Sequence, residues 1–161
     1  MLGAHASSRS PAMLDLVLAI LHHLLILSVA GLMMAGFVLV KPGLSGGALK
    51  TLGGIDASYG GTAVLILIVG FSRVFLGAKG ADFYLHNPIF WAKIGAFAVV
   101  GLLSIAPTIA IFKWRKQAAA DPAFVPSEAD VAKVRKVMLA ELLVFALIPM
   151  FAAAMARGYG L

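Results

Sequence analysis

Four apolar runs, each long enough to cross a bilayer, dominate this chain of 161 residues. They cover about 13–40, 57–77, 89–112 and 134–157. A transmembrane helix needs ~20 mostly apolar residues, so four of them use nearly the whole chain. No room is left for a separate catalytic domain. Composition argues against burying these runs in a soluble protein. Hydrophobic residues make up 61% of the chain, and Asp, Glu, Lys and Arg together only 12%, about half the charged share of a soluble domain. A small soluble interior cannot hide that much apolar surface. The fold expected is all-α, an integral membrane four-helix bundle. Residues 1–12 read as an N-terminal tail and 13–161 as a single four-helix transmembrane domain.

Local signals set the boundaries. Lys41-Pro42-Gly43 stops the first helix, and the glycine-rich stretch Gly43–Asp56 reads as a connection without periodicity. The first run is too long for the ~7–15 apolar residues of a signal peptide and is expected to be retained, with Met13 an alternative start. Asn87-Pro88 is a helix-start signature. Lys113-Trp114-Arg115-Lys116 closes the third span, and Ser127 reads as the N-cap of a helix beginning near Glu128. Trp91, Trp114 and Tyr84 fall near span boundaries and read as an interfacial aromatic belt. Pro107 and Pro149 lie inside spans and are expected to kink them, with Ser104 and Thr108 available to satisfy freed carbonyls.

The net charge is +6. The basic residues sit mainly between apolar runs, which points to membrane orientation and not to nucleic acid. Eight Lys or Arg fall on the side of the first and third connections, against Arg9, Lys79 and Arg157 on the other. The positive-inside rule then puts both termini in the periplasm of a bacterial inner membrane. The chain has no cysteine, which excludes disulfides, iron–sulfur clusters and thiol catalysis.

Charge within hydrocarbon costs at least ~2.5 kcal/mol per group near the centre, so the polar residues inside the spans are the candidates for function. At ~1.5 Å rise per residue, His22 and His23 lie roughly 6–8 Å outward of the midpoint of span one. On the same scale Arg73 lies roughly 9 Å and Lys93 roughly 10 Å outward in spans two and three. No carboxylate is expected at that depth, so an anion would balance the cations. Haem b suits such a layer: an imidazole ligates the iron, and two cations take the propionates. His22 is the candidate metal ligand. Adjacent histidines point about 100° apart, so His22 and His23 cannot both face one iron. Met150, roughly 7–8 Å outward in span four, is a candidate second axial ligand, alongside His86 or none. Arg73 and Lys93 can equally snorkel to headgroups, and a histidine in a span can hydrogen-bond a neighbouring helix without any cofactor. Glu141 lies toward the inner side of span four. It is expected to pair with Lys133, Lys136 or a polar group of span one.

Several patterns carry a resemblance. They are Leu21-His22-His23, Arg73, Asn87-Pro88-Ile89-Phe90-Trp91-Ala92-Lys93, Ser104-Ile105-Ala106-Pro107-Thr108, Glu141 and Met155-Ala156-Arg157-Gly158-Tyr159-Gly160. Together they resemble the bacterial family of predicted membrane proteins known as domain of unknown function 2214, over nearly all of residues 13–160. Leu21-His22 and the lysine opening span three are also similar to HemJ-type protoporphyrinogen oxidases and CopD-like membrane proteins. That likeness implies haem b on His22 with Lys93 as the matching lysine. Span three has no histidine, a departure from those enzymes.

The function expected from these readings is haem b binding with a redox or electron-transfer role, which would make the chain a membrane oxidoreductase. Its partners would be the lipid bilayer and a porphyrin or quinone-like small molecule, and no nucleic acid. The alternatives are a small anion or metal carrier or channel, and an accessory subunit of a larger membrane complex; a homo-oligomer is also open.

Overall fold

The computed structural model describes residues 9–160. They form α1 (Arg9–Leu39), α2 (Gly46–Leu76), α3 (Gly80–Leu85), α4 (Pro88–Ala120) and α5 (Glu128–Ala156). All but α3 are long and apolar enough to cross a membrane. Short connections force consecutive long helices to run antiparallel. The helices α1 and α2 form one hairpin, and α4 and α5 a second. The helix α2 crosses α4, and α1 touches α5, to close the bundle. Large apolar side chains such as Leu27, Leu102 and Phe112 point outward, where hydrocarbon and not water is the solvent.

Several boundaries differ from the sequence reading. The first helix starts at Arg9, inside the stretch read as a tail, and residues 1–8 lie outside the described residues. The helix α2 starts at Gly46, so most of the glycine-rich stretch is helical and not a connection. Glycine weakens helices by about 1 kcal/mol per residue relative to alanine, but packing overrides that preference here. Leu49 and Leu52 are fully buried against Val40, Ile111, Val131 and Val134. Gly53 is required for space, because a Cβ there would collide with the Arg115 side chain. The helix α4 runs on to Ala120, past the lysines expected to end it; charge marks where hydrocarbon stops and does not break a helix. Trp114, read as part of an aromatic belt, is 5% exposed and packs in this same core. Tyr84 is also buried, against Val74, Phe90 and Met155.

The ends are tied by specific polar contacts. Ser127 Oγ accepts from Asp130 N at 3.1 Å, which caps α5. Asn87, 0% exposed, caps α4: its Oδ1 accepts from Ile89 N at 2.8 Å. Its Nδ2 donates to Tyr159 O at 3.1 Å, so the segment after α5 is clasped to the start of α4. Gly160 lies against this asparagine with φ +85°, and a Cβ there would strike Asn87 Oδ1. Two of the patterns that carry the family resemblance are thus one structural unit.

At the opposite end, Arg135 of α5 donates from Nη1 to Phe37 O at 2.9 Å and Val40 O at 2.5 Å. These are carbonyls at the C-terminus of α1, which no further turn of helix satisfies. The guanidinium also stacks over the Phe37 ring at 4.2 Å. Arg135→Ala is therefore expected to cost about 1.5–3 kcal/mol in reversible unfolding in micelles, whereas the neighbouring exposed Lys136→Ala leaves the midpoint unchanged.

Candidate functional site

Near the end of the bundle that carries the chain termini, all four long helices and α3 enclose a cavity of about 230 Å³. The helix α1 supplies His22, His23 and Ile26; α2 supplies Gly70, Arg73 and Val74; and α4 supplies Phe90, Lys93 and Phe97. The helix α5 closes it with Phe145, Ile148, Ala152 and Met155. Antiparallel packing sets this register. A Cβ on Gly70 would lie 3.1 Å from His22 Cε1, so the glycine makes room for the imidazole beside α2. The rim reaches the lipid-facing surface at Leu67 and Phe71, both exposed.

The cavity is apolar in its walls and basic in its polar groups. His22, Arg73 and Lys93 line it together, and Lys79 joins them from the turn after α2. No carboxylate is among the described residues that line it. His22 Nδ1 and Arg73 Nε are buried without a hydrogen-bond partner. Buried polar atoms nearly always have one, so these two mark a place where the protein alone does not complete the bonding. His23 is disposed differently. It is exposed, its Nδ1 donates to Ala19 O at 2.6 Å, and its ring stands at 88° to that of His22. It lies on the rim while His22 lies inside.

Met150 does not join the cavity. It is 64% exposed and faces lipid, about 200° around α5 from Ile148, which does face inward. Sharing a depth with the histidines was not enough, because the face of the helix also matters. His86 is exposed beyond α3, with its Nδ1 on Asp82 O at 3.1 Å, and is likewise outside. The sequence reading missed Lys79, counted there only as a loop charge. It also missed Asp15, a half-buried carboxylate whose Oδ1 approaches Gly77 just after α2. Tyr84 lies near charges of both signs. Burial pushes its phenol above the usual range, while nearby Arg73 pulls it down and Asp15 pushes it further up.

A second polar layer lies deeper, toward the opposite end. Tyr59 Oη donates to Glu141 Oε1 at 2.6 Å, and Thr108 Oγ1 donates to Asp56 Oδ1 at 2.9 Å. Asp56, Tyr59 and Glu141 line a small void of about 20 Å³ beside Ser104 and Pro107, room for about one water. Glu141, 4% exposed, therefore pairs with α2 and not with Lys133, Lys136 or α1. Lys136 stands about 140° around the helix from it. Thr108, expected to satisfy a carbonyl freed by Pro107, serves Asp56 instead, while Ser104 Oγ donates to Gly101 O at 2.8 Å. Between the two polar layers lies an apolar plug of Val29, Met33, Ala96, Val100, Phe145 and Ile148.

A family model described as "Predicted membrane protein (DUF2214)" matches residues 14–160. No curated protein and no solved structure matches.

The matched region holds both polar layers, and the weight of the deeper one in the fold is measurable. Tyr59→Phe removes the donor to a buried carboxyl and is expected to lower stability by about 1 kcal/mol in micellar unfolding. Glu141→Gln keeps an acceptor for the phenol and is expected to lose less.

Proposed function

Since the chain belongs to this family of predicted membrane proteins, its chemistry has to be sought inside the bilayer, and we propose that it binds haem b and serves electron transfer or membrane oxidoreduction. The observation that carries this reading is the single cavity joining His22, Arg73 and Lys93, with two buried nitrogens left without partners. The donor set fits the group. An imidazole suits iron, two cations suit two propionates, and apolar walls suit the faces of a macrocycle. Bundle cores commonly hold cofactors in this way.

In this reading a bound haem supplies one-electron chemistry at its iron. His22 would ligate the iron, and Arg73 and Lys93 would neutralise and hold the carboxylates. Phe97, Phe145 and Ile148, which line the cavity, would exclude water from a bound group. Met150 faces lipid and would take no part in holding the group. Leu67 and Phe71 at the rim give a small apolar reductant or oxidant, such as a quinone, a route from the bilayer.

One observation favours a second reading, a carrier for a smaller anion. The cavity of about 230 Å³ is below the ~300–1,000 Å³ usual for ligand pockets, and its polar groups are mostly cationic. Orientation belongs to the same proposal. Eight Lys and Arg at the end away from the termini support a cytoplasmic face there, with termini and cavity on the periplasmic side of a bacterial inner membrane.

The absorption spectrum of the purified protein, after haem supplementation, tests the leading reading. A Soret band is expected, lost in His22→Ala, with haem affinity about tenfold lower in Arg73→Gln or Lys93→Gln. A colourless protein that nevertheless moves anions into liposomes, dependent on Arg73, would transfer the site to the second reading. Orientation is checked separately. Because the chain has no cysteine, single Lys79→Cys and Lys136→Cys variants can be labelled with an impermeant thiol reagent. Only the first is expected to react from the periplasm.

A further inference from the structure

The basic run Lys113-Trp114-Arg115-Lys116 does not present one undivided charged face. Trp114 is buried in the core, and Arg115 packs onto Gly53 of α2. Lys113 and Lys116, three residues apart and so on one side of α4, share a groove with Lys133 of α5. The groove has a volume of about 660 Å³, within the range of ligand sites. Its remaining lining is Ala106, Ile109, Ala110, Trp114, Gln117, Asp130 and Val134. The lysines lie at one end of it. Ala106 lies about 10 Å further along α4, toward the middle of the membrane.

Three ammonium groups around one concavity repel each other. Asp130 is the one carboxylate among the described lining residues, and its Oδ2 already accepts from Ser127 Oγ at 2.7 Å. Net positive charge remains, directly above an apolar trough that opens onto hydrocarbon. The molecule complementary to both halves has an anionic head and an apolar tail. We propose that this groove between α4 and α5 binds one anionic phospholipid. Its phosphate sits among Lys113, Lys116 and Lys133, and an acyl chain lies along Ala106, Ile109 and Ala110. Basic pockets between transmembrane helices recognise lipid headgroups in this way. The site is at the other end of the bundle from the His22 cavity and does not depend on what that cavity holds.

The test compares phosphatidylglycerol with phosphatidylcholine, added to the full chain in micelles, by native mass spectrometry and thermal unfolding. Phosphatidylglycerol is expected to be retained and to raise the midpoint. In K113Q/K116Q/K133Q its affinity is expected to fall about tenfold or more, while K41Q/K50Q, which removes lysines at the same end but outside the groove, behaves as the parent. Glycerol phosphate, which has no acyl chain, is expected to leave the midpoint where it was. Equal retention of phosphatidylcholine, undiminished binding in the triple variant, or the same shift from glycerol phosphate would each overturn the proposal. Should the triple variant not fold, Ala106→Trp decides. It fills the trough and leaves every lysine in place, and unaltered phosphatidylglycerol binding by it would sink the idea.

Discussion

Water does not reach the middle of a bilayer, so a polar group placed there has to find its partner within the chain or on something the chain binds. This protein meets that constraint in two ways at two depths. In the deeper layer Tyr59 serves Glu141 and Thr108 serves Asp56, and the bonding closes on itself. In the layer nearer the termini, His22 Nδ1 and Arg73 Nε have no such partner. Both layers lie among the same helices, parted by Val29, Val100, Phe145 and their neighbours. The contrast between a satisfied layer and an unsatisfied one is what the haem proposal rests on.

Glycine lets the helices approach at two places, in each case by leaving room for a longer side chain from another helix. Gly70 admits the His22 imidazole, and Gly53 admits the Arg115 side chain. The helices can then approach closely with titratable groups between them, and lipid is excluded from the gap. Arg135, bonded to the last carbonyls of α1, ties the α4–α5 hairpin to the α1–α2 hairpin. A membrane bundle has little hydrophobic drive for helix association, because lipid tails are as apolar as leucine. Contacts of this polar and close-packed kind therefore hold it together.

How much was legible in the sequence follows from what each signal reports. A run of apolar residues reports that a segment can sit in hydrocarbon, and the four spans follow from it. Counting along helices fixes depth, which is why His22, Arg73 and Lys93 could be set at one level from spacing alone. Neither signal reports rotation about a helix axis. When lipid and core are both apolar, residues on opposite faces look alike, so Met150 could not be told from an inward-facing position. The same blindness hid Tyr59 as the partner of Glu141 and left Trp114 on the outside. The start of α2 was lost for another reason. Glycines at 46, 47, 53 and 54 disfavour helix locally, and only tertiary burial of Leu49 and Leu52 reverses that. The spacing Leu49, Leu52, Ile55, Tyr59 was the available clue.

The clasp between Asn87 and Tyr159 has a bearing on biosynthesis. Membrane helices leave the ribosome in order, and the hydrogen bond that completes the α4 cap comes from a residue beyond the last of them. The wall formed by Phe145, Ile148 and Met155 also arrives only with α5. Until then the imidazole of α1 and the cations of α2 and α4 face an open side, with neither wall nor clasp in place. The cavity therefore gains its full lining only once α5 has packed, so its closure is a step separable from insertion of the earlier helices.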